Sequence, residues 1–158
     1  MTISNYKLVE LADKYKVALR LSDIKHIEDL TSCKLKKFMN LILNFSSPGY
    51  AGAHFVSFLV RDKKAFYMDS FGAYPLEQVV DYCKLNSLQL GYNAKVIQDS
   101  STTSCGVYCF ALLKYAGKSG DLYKKCNEFL DIFDNDTTLN NDILHTLLNN
   151  LGIQHEYK

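Results

Sequence analysis

Apolar residues recur every three to four positions in some stretches of this chain and every second position in others, and the two periods lay out its elements. Leu8, Leu11, Ala12 and Tyr15 fall close to helical spacing and predict a helix within residues 5–19. Ser22 is placed to cap a second short helix carrying Ile24, Ile27 and Leu30. Residues 35–45 mix both periods, and their latter half reads as a strand. Residues 46–52, with Pro48, Gly49 and Gly52, read as a loop. Residues 55–60 are almost continuously apolar, residues 61–64 are charged, and residues 65–69 are β-rich again, which predicts a hairpin. Pro75 suits the first turn of a helix running to about residue 88, with Leu76, Val79, Val80 and Cys83 on one face. Residues 94–97 read as a short buried strand. Residues 105–116 are apolar almost all round, as expected of a helix at the centre of a domain, and Gly117 ends it. Two amphipathic helices follow, near 119–132 and 138–151. The expected fold is a single α+β domain over residues 1–158, a small and mostly antiparallel sheet flanked by helices.

The hairpin carries a geometric consequence. With an even-numbered loop, Arg61 pairs with Lys64 and Val60 with Ala65. Asp69 then stands opposite Val56, on the face of His54 and diagonal to it. Diagonal neighbours lie about 7–8 Å apart at Cα, within reach of an imidazole–carboxylate contact. A slip of one residue would send Asp69 to the other face.

Composition narrows the function classes. A chain of 158 residues with 47% apolar and 22% charged residues is an ordinary globular domain. Its net charge of +1 gives no global reason to expect nucleic acid as a partner. Basic clusters at Lys34/Lys36/Lys37, Lys63/Lys64 and Lys124/Lys125 read as solvated surface. No apolar run is long enough to span a membrane, and the first residues carry no basic start with an apolar stretch, so secretion is not expected. The five cysteines are odd in number and irregularly spaced, which argues against a disulfide framework and for a reducing compartment. No Cys-x-x-Cys pair supports a zinc site, and no cofactor is called for. Lysine makes up 16 of the 18 basic residues, a usage that suits an AT-rich coding genome.

Four residues in chain order supply the parts of a thiol hydrolase. Cys105, after a Ser/Thr run and at a helix start, meets the positive end of the helix dipole, which favours thiolate and marks it as the nucleophile. His54, at the start of the central strand, is the base toward Cys105 and the acid to the leaving amine. Asp69 fixes the imidazole tautomer and stabilises the imidazolium. Gln98 offers an amide to the developing oxyanion, beside the backbone N–H of Cys105. Cys109, one turn into the apolar helix, reads as core. His26, His145 and His155 have no partner pattern and read as structural.

Gly-Ala-His54-Phe, Tyr-Met-Asp69-Ser-Phe-Gly and Gln98-x6-Cys105-Gly resemble the adenain type of cysteine protease, the adenovirus maturation protease, whose clan also includes the SUMO-specific proteases. The resemblance covers about residues 50–116. The six-residue gap after Gln98 is like that of adenain, and Ser104 stands where the SUMO proteases commonly have Asp. Phe55 follows His54 where the family usually has Trp. The short length and codon bias suggest a version from a virophage or Polinton-like element. The resemblance implies an adenain/Ulp-like fold and an endopeptidase that cleaves capsid or core precursors next to Gly during virion maturation, in the virion and host cytoplasm. Its partners are then protein substrates rather than membranes, and activation by a peptide or DNA is left open. Deconjugation of ubiquitin or SUMO, or a binding module that has lost the chemistry, are the alternatives.

Overall fold

Five strands pair in chain order into one sheet: β1 (Ile24–His26), β2 (Phe38–Ser46), β3 (Ala53–Arg61), β4 (Lys64–Met68) and β5 (Gln89–Tyr92). The computed structural model describes residues 3–46 and 53–153. The loop expected at 46–52 lies outside the described residues apart from Ser46, which ends β2. The long central ladders, nine residue pairs for β2–β3 and five for β3–β4, are antiparallel. The outer ladders, three pairs for β1–β2 and four for β4–β5, are parallel. The sheet of this α+β domain is therefore mixed. A parallel neighbour needs a crossover, and α2 (Glu77–Leu85) supplies it between β4 and β5.

Side chains alternate between two cores. Leu41, Leu43, Phe58 and Tyr67 pack toward α2. Ile42, Leu59 and Phe66 pack toward α3 (Cys105–Ala116), which is joined on its other sides by α1 (Asn5–Lys14), α4 (Leu122–Asp131) and α5 (Asn140–Asn150). Burial on both faces is why β3 is a continuous apolar run instead of an alternating one. Ten of the 12 residues of α3 are buried, the outcome expected of a helix with no polar face.

The hairpin closes through Asp62 and Lys63 alone, and Asp62 takes φ of +55°, the left-handed backbone that such two-residue turns require. Arg61 pairs with Lys64 and Val60 with Ala65, in the register read from the sequence.

Three expectations need correction. The stretch from Ser22 is not one helix: two 3-10 turns, Leu21–Asp23 and Ile27–Ser32, flank β1. Ile24 and Leu30 are still buried, but Ile24 does so by pairing with Ile42 at the sheet edge. The strand placed at 94–97 is absent; the chain pairs earlier, as β5, and then turns away with Ala94 and Val96 exposed. Pro75 precedes α2 instead of opening it, leaving Leu76 as the N-cap.

Arg61 ties the sheet to the far end of α3. Its guanidinium donates to the carbonyls of Met39, Val60 and Gly117, each at 3.0 Å, and to Asn40 Oδ1 at 2.9 Å. The group lies 3.9 Å from the Phe38 ring centroid. Burial lowers its pKa to about 10, so it remains a cation at neutral pH. Gly117 ends α3 with φ of +60°, and the cation meets the negative end of that helix. Arg61→Ala should lower stability by roughly 1.5–3 kcal/mol, the range for hydrogen bonds to a charged group. Arg61→Lys should recover only part of that loss, because an ammonium does not reproduce the planar fork. Urea unfolding of the three proteins measures both.

Candidate active site

The hairpin register delivers the first contact of the site. The β3–β4 ladder stops at the pair Ser57–Met68, and one residue further on each side the chain reaches Val56 and Asp69. His54 Nε2 lies 2.8 Å from Asp69 Oδ1, with both residues buried. That oxygen also accepts the Phe71 backbone N–H at 2.8 Å, which locks the carboxylate in place. With Nε2 committed to Asp69, Nδ1 is the imidazole nitrogen left to face the Cys105 thiol, which helps raise the His54 pKa.

Cys105 reaches the imidazole because α3 begins at it. Val107 and Tyr108 donate their N–H groups to Ser104, so Cys105 occupies the first helical position. No acidic side chain sits in the first turn of α3 to cancel the positive end of its dipole. Gly106 is demanded by packing: a Cβ there would lie 2.6 Å from Ile3 Cγ2 and 3.5 Å from Phe55 Cδ2. Ile3, two residues before α1, thus lies directly against the start of α3.

Phe55 packs toward α3 and is not the ring that frames His54. Two other phenylalanines take that place. Phe45, its cross-strand partner on β2, meets the imidazole edge-on at 5.4 Å between centroids. Phe71 stacks on it at 5.0 Å and 23°. Burial by itself disfavours the imidazolium. The hydrogen bonds to Asp69 and Cys105, with the charges of both groups, outweigh it and push the His54 pKa up to about 9.

Gln98 is fully buried, beneath the loop that leads to Cys105. Its Oε1 accepts from Ser70 Oγ at 2.5 Å, which points the NH2 group the other way. That group donates to the Thr102 carbonyl at 3.2 Å and Oγ1 at 3.1 Å. The amide therefore faces the segment before the nucleophile and is held there by Thr102. Asp99, its neighbour, is half-buried and bonds Ser101 and Thr137, as a loop carboxylate does.

The segment after β5 is the frame behind Asp69. Asn93, buried, accepts the Asp69 N–H at 3.1 Å and donates to the Asp69 carbonyl at 2.6 Å. The Ser70 carbonyl accepts from Ile97 and Gln98 at 2.9 and 3.0 Å. Gly72 turns the chain with φ of +71°, and a Cβ there would come within 2.7 Å of the Ala94 carbonyl. Asn93, Ser70, Phe45, Phe71 and Thr102 carry no chemical signature in the sequence. Only Ser70 and Phe71, inside Asp-Ser-Phe-Gly, stood within a recognisable motif.

Cys83, Cys109 and Cys126 are core, and Cys33 is half-buried. Burial pushes Cys83 to about 11, Cys126 to about 12 and Cys109 well above its ordinary value, so all three stay protonated thiols at neutral pH. His26 Nδ1 accepts the Glu28 N–H and caps a 3-10 turn. Among the described residues no group of His, Cys, Asp and Glu is arranged to hold a metal ion. No helix among them is long and apolar enough to cross a membrane.

The fold is similar to that of ChlaDub1 from Chlamydia trachomatis, with a TM-score of 0.53 at 13% sequence identity, over 96% of this chain and 77% of that chain. No protein-family model matches the sequence, and neither does any curated protein.

Two measurements test this geometry. The His54 imidazole should titrate near pH 9 by NMR, and in Asp69→Asn its pKa should fall back toward 6.5. Because the folded-state value is raised, the stabilisation is complete below 6.5 and is lost as pH climbs through about 9. Iodoacetamide should label Cys105 ahead of Cys33, Cys83, Cys109 and Cys126, as read by peptide mass mapping.

Proposed function

We propose that this protein is a cysteine endopeptidase acting through Cys105, His54 and Asp69, with Gln98 as an oxyanion donor. The observation that carries the reading is the buried chain of contacts from Asp69 through His54 to Cys105. Asp69, His54 and Cys105 come from separate stretches and have the polarity a thiol hydrolase needs, and Gln98 lies beneath the segment that leads to Cys105.

The Cys105 thiolate attacks the scissile carbonyl carbon, and the carbonyl π pair moves onto oxygen. The backbone N–H of Cys105 and one N–H of Gln98, exchanged from Thr102, stabilise that oxyanion. The intermediate collapses to a thioester as the His54 Nδ1 proton passes to the leaving nitrogen. Nδ1 then takes a proton from water, whose oxygen attacks the thioester and releases the acid and the Cys105 thiolate. Asp69 holds Nε2–H throughout and balances the imidazolium charge.

Exposure supports a narrow substrate specificity. Cys105 is 2% exposed and His54 1%, so a side chain beside the scissile bond has almost no room. Glycine at that position fits the constraint. Among Gly-flanked substrates, the sequence resemblance to adenain favours viral capsid or core precursors cut during maturation. A second reading, removal of ubiquitin or a ubiquitin-like modifier, is favoured by the likeness in fold to ChlaDub1, a Chlamydia deubiquitinase.

Fluorogenic peptides with Gly or a bulky residue before the cut, fluorogenic ubiquitin and SUMO, and the capsid proteins encoded beside this gene form the decisive panel. Wild type should cleave the Gly-flanked members and Cys105→Ala none. Equal cleavage at bulky residues removes the slot reading. Hydrolysis of none, with all five cysteines alkylated at equal rates, removes the protease reading and leaves a binding module. Gln98→Ala should cost about 2.7–4 kcal/mol in kcat/KM. Hydrolysis should fall as pH rises past about 9, where His54 loses the proton it gives the leaving group, and Asp69→Asn should move that limb to lower pH.

A further inference from the structure

At the end of the sheet away from His54, the fold gathers basic residues that are scattered in the sequence around a cavity of about 480 Å³. Arg20, Lys25, Lys34 and Lys36 surround it, Lys25 from β1 itself and the others from the segments that precede β1 and lead into β2. Its only acidic lining residue, Asp23, is already engaged by Arg20, through the backbone N–H at 2.8 Å and the guanidinium at 3.6 Å. Among the described residues none of the three lysines has an ion-pair partner.

A fifth cation lies just behind. The hydrogen bonds of Arg61 go to three carbonyls and one carboxamide, all neutral, so its charge is uncompensated by any acid among the described residues. Two of those acceptors, on Met39 and Asn40, belong to residues that line the cavity, as does Phe38, whose ring it stacks against. The β3–β4 turn adds Lys63 to the same end, since Asp62 N–H bonds the Lys37 carbonyl at 2.7 Å and brings two lysine clusters together. A chain of net charge +1 thus concentrates its positive charge in one place.

The floor differs from the rim. Leu19, Phe38, Met39 and Leu41 make it largely apolar, and the volume is in the range of small-ligand sites. A bare inorganic anion uses only the rim. A molecule with both a phosphate group and an apolar, planar body uses both.

We infer that this cavity is a binding site for a phosphate-bearing organic molecule of nucleotide size, with phosphates on Arg20, Lys25, Lys34 and Lys36 and its body against Phe38 and Met39. Met39 and Phe45 are six residues apart on β2, so the site lies about 20 Å from His54 along the strand. It stands independently of any hydrolysis at Cys105.

ATP and ADP, with inorganic triphosphate as the body-less control, test this by calorimetry and thermal shift on the full chain. ATP should bind and raise the melting temperature, and more tightly than triphosphate. Lys34→Glu/Lys36→Glu, both exposed positions, should weaken ATP by at least about tenfold, which corresponds to roughly 1.4 kcal/mol. Lys84→Glu/Lys124→Glu, exposed on α2 and α4 away from the cavity, should bind as wild type does. Phe38→Ala should weaken ATP and leave triphosphate unchanged. The inference is overturned by no binding of either nucleotide, by triphosphate binding as well as ATP, or by equal loss in both charge-reversed proteins. Unliganded melting curves of each variant check that it is folded.

Discussion

The contact between His54 and Asp69 is the constraint from which the rest of the candidate site is built, and it is set by a turn. Asp62 and Lys63 close the hairpin with two residues, and that number alone decides which face of the sheet Asp69 occupies. One more residue in the turn would leave the imidazole without its carboxylate. The bond at 2.8 Å lies three residues past the last β3–β4 pair on the β3 side and one past it on the β4 side, where the pairing between these two strands has ended. Holding it there takes further anchors: Phe71 N–H on the carboxylate, Asn93 on the backbone of Asp69, and Ser70 bridging to Gln98.

Ser70 joins the two halves of the site. Its carbonyl receives the N–H groups of Ile97 and Gln98, and its hydroxyl fixes which way the Gln98 amide faces. The residue next to Asp69 thus fixes the Gln98 carboxamide, so the two parts of the candidate site are linked through one buried serine. The chain achieves this with backbone bonds and small polar side chains, because the segment from Asn93 to Ser104 makes no ladder that would otherwise hold it. The strand expected at 94–97 does not form because its backbone groups go elsewhere: the Ile97 N–H to the Ser70 carbonyl, and the Lys95 and Ile97 carbonyls to the side chains of Asn93 and Asn140.

Much of the fold was legible because it obeys local periodicity. The limits of α3 and the hairpin register followed from apolar patterning, a polar turn and Gly117, features that tertiary context reinforces. The four candidate residues were legible for a different reason, since each carries a reactive group at a recognisable spacing. What escaped was tertiary. Asn93, Phe45 and Thr102 act through contacts between elements far apart in the chain, and no residue-level pattern announces them. Ile24 shows the reverse failure: its helical spacing with Ile27 was real, yet pairing with Ile42 at the sheet edge outweighed local preference. The lysine clusters looked bland for the same reason, as only the hairpin turn brings Lys37 and Lys63 together.

The seclusion of the Cys105 sulfur has a chemical corollary beyond selectivity for glycine. Thiol–disulfide exchange needs an in-line approach of three sulfur atoms, and a tripeptide disulfide is far wider than a glycine backbone. Small oxidants such as peroxide still enter, but glutathione mixed disulfides have no route to form at this position. Burial of the proposed nucleophile thus works by shape against exchange with bulky disulfides.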